Sequence, residues 1–219
     1  MNTLLAHWHP RLAKLAGEAV GEDGAHDANH LHRVWRNAST LLDAYPAADP
    51  LTVMAACYLH DLVNVPKNHP QRQQASRQSA RLACTRLAEL GFPATRLDNV
   101  GHAIETHSFS AALVPRTLEA KIVQDADRLD ALGAVGLARL FYTAGRMGCA
   151  LAHAGDPMAL HRELDDRAYA LDHIETKLAT LPLTMQTEAG RALAQTRLAT
   201  LTEFRDSFIR ESATSPTPP

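Results

Sequence analysis

The sequence predicts an all-α protein, and three observations carry that expectation. Ala and Leu dominate the 219 residues, β-branched residues never cluster into alternating runs, and apolar positions recur at helical spacing almost throughout. Hydrophobic residues make up 46% of the chain and aromatics only 5%, which is enough apolar surface for one sizeable core. A single helical domain is expected over residues 1–212, followed by a short Pro-rich disordered tail over 213–219.

Leu4, Leu5, Trp8, Leu12, Leu15 and Val20 predict a first amphipathic helix, broken by the GEDGA stretch at Gly21 to Ala25. Asp27 or Asn29 can cap a second helix carrying Leu31, Val34, Trp35, Ala38, Leu41 and Leu42, which ends near Pro46. Asp49-Pro50 opens a third, from Leu51 to about Leu62, apolar on nearly every face and therefore central. After the polar loop VPKNHPQRQ comes a fourth, about Gln73 to Leu90, which stops at Gly91 before Pro93. Helices are then expected at Leu97 to His107, Leu118 to Leu132 and Gly133 to Met147. Beyond a polar break at His153 to Pro157, two long C-terminal helices are expected, about His161 to Leu181 and Thr184 to Arg210.

The charge balance removes several function classes. With 22 Lys and Arg against 24 Asp and Glu, no polyanion-binding surface is indicated, so polymeric nucleic acid is not an expected partner. A local basic pocket for a small phosphate ester remains compatible with a net charge of -2. Cys57, Cys84 and Cys149 are scattered and odd in number, which speaks against a disulfide framework or a zinc ribbon. No run approaches the roughly 20 apolar residues that span a bilayer, and the N-terminus lacks a signal-peptide core. A cytoplasmic protein without membrane partners is the expectation. Dispersed glycines leave neither a P-loop nor a GxGxxG turn.

Three segments hold the chemistry: HDANHLHRVWRNA (His26 to Ala38), CYLHDLVNVPKNHPQRQQAS (Cys57 to Ser76) and EAKIVQDADRLDALGAVG (Glu119 to Gly136). In the first, His30 and Arg33 share one helix face; alone, that spacing reads as a solvated basic stretch. His26 reads as an entry-loop group or cap, and His32 as structural. In the second, the doublet His60-Asp61 closes an apolar helix. A buried carboxylate beside an imidazole is costly unless a cation or partner compensates, so a divalent metal competes evenly with a plain His–Asp hydrogen bond. In the third, Asp125, Asp127 and Asp130 interrupt an apolar helix, with Asp127 and Asp130 on one face and Asp125 turned away.

In combination, the HxxRV histidine, the HD doublet and the DADRLDA helix, in that order, resemble the HD superfamily of metal-dependent phosphohydrolases. The resemblance covers roughly Gly24 to Ala138, the motif-bearing core. It implies an HD-domain helical bundle with additional C-terminal helices. HDLVNVPK through DADRLDALGA is similar to a bacterial subgroup thought to hydrolyse nucleotides, some members releasing pyrophosphate. Carried over by position, it implies one divalent metal ion (Mn²⁺, Fe²⁺, Co²⁺ or Mg²⁺) held by His30, His60, Asp61 and Asp127, with Asp125 the less favoured choice for the last place. It implies attack by a metal-activated water on a small phosphorylated substrate, expected to be a nucleotide, in a monomer or homodimer. Lys67, His107 and Asp130 are the candidate catalytic groups, and Arg33, Lys67, Arg72 and His102 the candidate substrate contacts.

Departures from the pattern narrow the substrate. Some nucleotidase relatives have a glutamate where this chain has Asn64, and an amide is no general acid or base at neutral pH. Alarmone hydrolases have an acidic pair in place of Asn64-Val65, and the GYP motif of cyclic-dinucleotide phosphodiesterases is absent. Two other classes stay open: a dinuclear iron oxygenase using His102 and His107, and a catalytically silent module that binds a nucleotide as a sensor.

Overall fold

A computed structural model of the chain describes residues 3–19, 28–63, 74–108 and 111–212. The protein is all-α: among these residues there are helices, turns and one isolated bridge between Ala150 and Tyr169, with no named strand. The helices are α1 (Thr3–Ala19), α2 (Ala28–Leu42), α3 (Pro50–Leu59), α4 (Ala75–Glu89), α5 (Ala94–His107), α6 (Leu118–Leu129), α7 (Gly133–Met147), α8 (Asp172–Thr176) and α9 (Glu188–Ser212). None of them is long and apolar enough to cross a membrane.

The chain divides into two compact units, one comprising residues 1–130 and 185–190 and the other residues 131–184 and 191–219. In the first unit α3 is the hub: every residue from Leu51 to Leu59 is buried, and α1, α2, α5 and α6 pack against it. An apolar helix without a polar face has no stable place at a surface, so the sequence alone puts it at the centre. Its start is fixed by Asp49, whose carboxylate accepts a hydrogen bond from the Thr52 backbone N–H at 3.3 Å, with Pro50 following. Its end falls at His60, so the metal-motif doublet sits where the hub helix stops. Thr117 caps α6 in the same manner, accepting from Ala120 N at 3.2 Å. Gly91, at φ +75°, turns the chain out of α4 as the Gly-Phe-Pro sequence predicts.

Only one of the two expected long C-terminal helices forms, as α9 in place of Thr184 to Arg210. The other, His161 to Leu181, is replaced by turns, the five-residue α8 and a 3₁₀ segment (Leu178–Thr184). Acidic side chains there bond to nearby backbone and so compete with the helix. Asp156 accepts from Leu160 N and His161 N, and Asp165 from Arg167 N and Ala168 N. Buried Asp172 accepts from Asp165 N and takes both terminal nitrogens of Arg162 at 2.6 and 2.7 Å. Apolar spacing suggested a helix, but this locally satisfied acidic network holds the segment in turns. His26, Asn64, Lys67, Arg72 and the 213–219 tail lie outside the described residues.

Candidate metal centre

Four elements of the first unit bring the motif residues together. His30 stands in the first turns of α2, His60 and Asp61 at the end of α3, His107 at the end of α5, and Asp127 and Asp130 at the end of α6. His30, His60 and Asp130 are 1–2% exposed, whereas Asp61 and Asp127 keep about a third of their side chains open. The result is a buried floor of imidazoles beneath two half-open carboxylates.

Both floor imidazoles have their tautomer dictated from behind. Nδ1 of His60 lies 2.9 Å from the Cys57 carbonyl oxygen, and Nδ1 of His30 lies 2.7 Å from Asp130 Oδ2. Carbonyl and carboxylate oxygens only accept, so each Nδ1 donates its hydrogen and each neutral ring keeps a lone pair on Nε2. Those two Nε2 atoms face one another at 3.3 Å. Asp127 Oδ1 stands 3.5 and 3.7 Å from them, and Asp61 Oδ2 stands 3.9 and 3.4 Å away.

Four electron-rich atoms from three helices therefore converge with no hydrogen of their own to share, and a cation resolves that repulsion. Without a metal a proton takes its place. Burial opposes charge on His60, yet the neighbouring Asp61 and Asp127 carboxylates outweigh burial and raise its pKa to about 9. Burial likewise disfavours the charge on Asp61, but His60 and His107 overcome it and hold the carboxyl well below its usual range. Two imidazoles with two carboxylates suit a borderline-to-hard divalent ion, and four such donors leave positions on a six-coordinate ion for water or phosphate oxygen. His30, His60 and Asp127 form one triad that could hold an ion; His60, Asp61 and His107 form a second.

The remaining candidates separate cleanly. Asp125 is fully buried and spends its oxygens on Gln186 N at 2.8 Å, Thr187 N at 2.8 Å and the Thr187 hydroxyl at 2.6 Å. It secures the segment that precedes α9, away from the imidazoles. His107 donates from Nδ1 to the Ile104 carbonyl at 2.6 Å and turns Nε2 to within 3.6 Å of Asp61 Oδ1. His102 lies about 140° around α5 from His107 and accepts the Arg116 backbone N–H at 2.9 Å, anchoring the loop that leads to α6. Burial and then the nearby Arg116 push the His102 pKa down. Arg33 grips Asp130 with two nitrogens, Nε to Oδ1 at 2.7 Å and a terminal nitrogen to Oδ2 at 3.1 Å. His32 meets the Tyr58 hydroxyl at 2.8 Å, in line with its structural reading.

Asn37 was missed. Its side-chain amide donates to the Ala126 carbonyl at 3.0 Å, tying α2 to the residue before Asp127. A signal existed: His30, Arg33 and Asn37 recur at i, i+3 and i+7, a polar stripe along one face of an amphipathic helix. Two of these three are buried, which marks the stripe as inward. The Cys57 carbonyl carried no such signal, because backbone groups leave none in a sequence.

The chain is similar to known proteins in sequence and in fold. The HD domain family profile matches residues 27–132. The uncharacterized protein YpgQ of Bacillus subtilis (strain 168) is 34% identical over 194 residues, covering 87% of this chain and 84% of its own. The crystal structure of B. subtilis YpgQ in complex with ADP is similar at a TM-score of 0.74 and 29% identity, over 94% of this chain and 95% of that one. An HD-superfamily hydrolase from Bacillus thuringiensis is similar at a TM-score of 0.72 and 26% identity, over 94% and 97%.

Proposed function

The chain belongs to the HD domain family, and from that premise we propose that it is a metal-dependent phosphohydrolase acting on nucleotides. The observation that carries this reading is the pair of Nε2 atoms at 3.3 Å, on rings whose Nδ1 hydrogens are already engaged, with two carboxylate oxygens beside them. His30, His60, Asp61 and Asp127 would hold one divalent ion, Mn²⁺, Fe²⁺, Co²⁺ or Mg²⁺. Such an ion supplies a Lewis acid for a phosphoryl oxygen and lowers the pKa of water at the site.

The protein's own groups divide the remaining work. The Cys57 carbonyl and Asp130 hold the two imidazoles with Nδ1 turned away and Nε2 towards the ion's place, so the ion would displace a proton without turning either ring. The half-open Asp61 and Asp127 leave the substrate side accessible. His107, with Nε2 3.6 Å from Asp61 Oδ1, would pass a proton to the leaving group. Lys67 and Arg72 follow the doublet in sequence and are the proposed phosphate contacts, with His102 a further candidate. The ADP complex of the related YpgQ structure supports a nucleotide as ligand.

A second reading, a dinuclear centre, is favoured by the His60–Asp61–His107 triad alone. His102, the further histidine such a centre would need, is instead committed to the Arg116 backbone. The test is a screen of phosphomonoesters and nucleoside triphosphates with each divalent ion, separating orthophosphate from pyrophosphate as product. Release of either, dependent on added ion, supports the reading. Tight nucleotide binding without turnover under every ion replaces it with a sensor, and two ions per chain with oxygen consumption replaces it with an oxygenase.

A further inference from the structure

Resting on the metal-centre reading above, we infer that Arg33 is a positioning residue for the metal ligands rather than a phosphate contact. It acts through Asp130 on His30. The connection is continuous: Arg33 Nε to Asp130 Oδ1 at 2.7 Å, a terminal nitrogen to Oδ2 at 3.1 Å, and Asp130 Oδ2 to His30 Nδ1 at 2.7 Å. Asp130 is 2% exposed, so its charge is nearly out of water and depends on these partners. A planar guanidinium matches a carboxylate with two parallel N–H bonds and fixes its rotation, which one imidazole N–H cannot do. With the carboxylate held, the His30 ring keeps one orientation and one tautomer, its Nε2 lone pair aimed at His60.

The placement extends this control to a second ligand. Arg33 lies one turn after His30 on α2, and Asp130 lies three residues after Asp127 at the end of α6. The fork therefore fixes the distance between the helix that carries His30 and the helix that carries Asp127. A guanidinium engaged in this way spends two of its nitrogens on the protein's own carboxylate. Its removal should loosen the hold on the ion and leave substrate affinity nearly unchanged.

Calorimetric titration with Mn²⁺ alone, without substrate, decides the matter on the full chain. Arg33→Ala and Asp130→Ala are each expected to weaken Mn²⁺ binding by about 10–100-fold. The double variant is expected to be no weaker than the worse single one, because both act along one connection. Arg33→Lys, a point charge without the fork, should recover only part of the loss. Mn²⁺ affinity within about threefold of wild type in Arg33→Ala, or additive losses in the double variant, overturns the inference. If Arg33→Ala does not fold by circular dichroism, Arg33→Met keeps the packing of the stem and is judged by the same two outcomes. A wild-type chain that binds no divalent ion brings down the metal reading itself, whereas one that binds while Arg33→Ala binds equally brings down only the role of Arg33.

Discussion

His30 Nε2 and His60 Nε2 meet at 3.3 Å, although each ring already donates its Nδ1 hydrogen elsewhere, to Asp130 and to the Cys57 carbonyl. Neutral rings in that state repel, so the contact itself asks for a cation. In the proposed centre, removing either ring or the doublet carboxylate would take a ligand and leave the others short of one. His60→Ala and Asp61→Ala are each expected to lose both bound ion and hydrolysis, by more than about 100-fold in turnover. Metal content after desalting and product release are the two measurements. Wild-type turnover in either variant removes the site assignment.

The convergence of the candidate ligands is legible in the sequence because their residue types violate local composition. A charged doublet closing the apolar α3, Asp125 and Asp127 inside α6, and Asp130 at its end among apolar neighbours, are departures that a core does not tolerate without compensation. The order of α1 to α7 followed from periodicity and from Asp49-Pro50 and Gly91. What stayed hidden was pairing across distance. Nothing near Arg33 in the sequence shows that Asp130, 97 residues on, will take its guanidinium. The segment 161–181 misled for the opposite reason: its apolar spacing is helical, while Asp156, Asp165 and Asp172 satisfy themselves locally.

The two acids of the DAD triplet should separate by experiment as they do in space. Asp127→Ala is expected to fold normally and to lose its ion, since its carboxylate is partly exposed and faces the imidazoles. Asp125→Ala is expected to keep the ion while losing stability, because it strips three hydrogen bonds from a buried cap. A loss of about 2–4 kcal/mol in urea unfolding is the scale for such a network. Gly190→Ala should resemble Asp125→Ala, for an added Cβ would press on Asp125 Oδ2 and stand 2.7 Å from the Thr187 hydroxyl. If Asp125→Ala empties the site and Asp127→Ala does not, the ligand assignment is reversed.

His107 distinguishes a mononuclear from a dinuclear centre. Its Nε2 is 3.6 Å from Asp61 Oδ1, its ring packs edge-on against that of His60 with centroids 4.7 Å apart, and His60 Nε2 faces Asp61 Oδ2. As a proton donor it should contribute about 10²–10⁴-fold to turnover while the ion stays bound. His107→Gln is therefore expected to keep one ion per chain by elemental analysis and to lose kcat by that range. A fall from two ions to one would instead make it a ligand.

Asp49 links the start of the hub helix to acid stability. Its carboxylate caps α3 through Thr52 and takes Arg96 Nε at 2.6 Å. Burial works against its charge, but the bonds from Arg96 and Thr52 prevail and lower its pKa below the ordinary aspartate value. A carboxyl with a folded pKa below its unfolded one stabilises the fold at any pH above the unfolded value, and that stability disappears as pH drops through the folded value. Asp49→Ala should therefore cost about 0.5–2 kcal/mol near pH 7, the scale of a lost N-cap. The gap between wild type and variant should narrow as the pH is lowered below about 4, where the unfolded carboxyl begins to bind its proton. Urea unfolding at a series of pH values measures both. A gap that is flat from pH 7 to pH 3 would mean that the cap contributes through packing alone and that its charge has no part in holding α3.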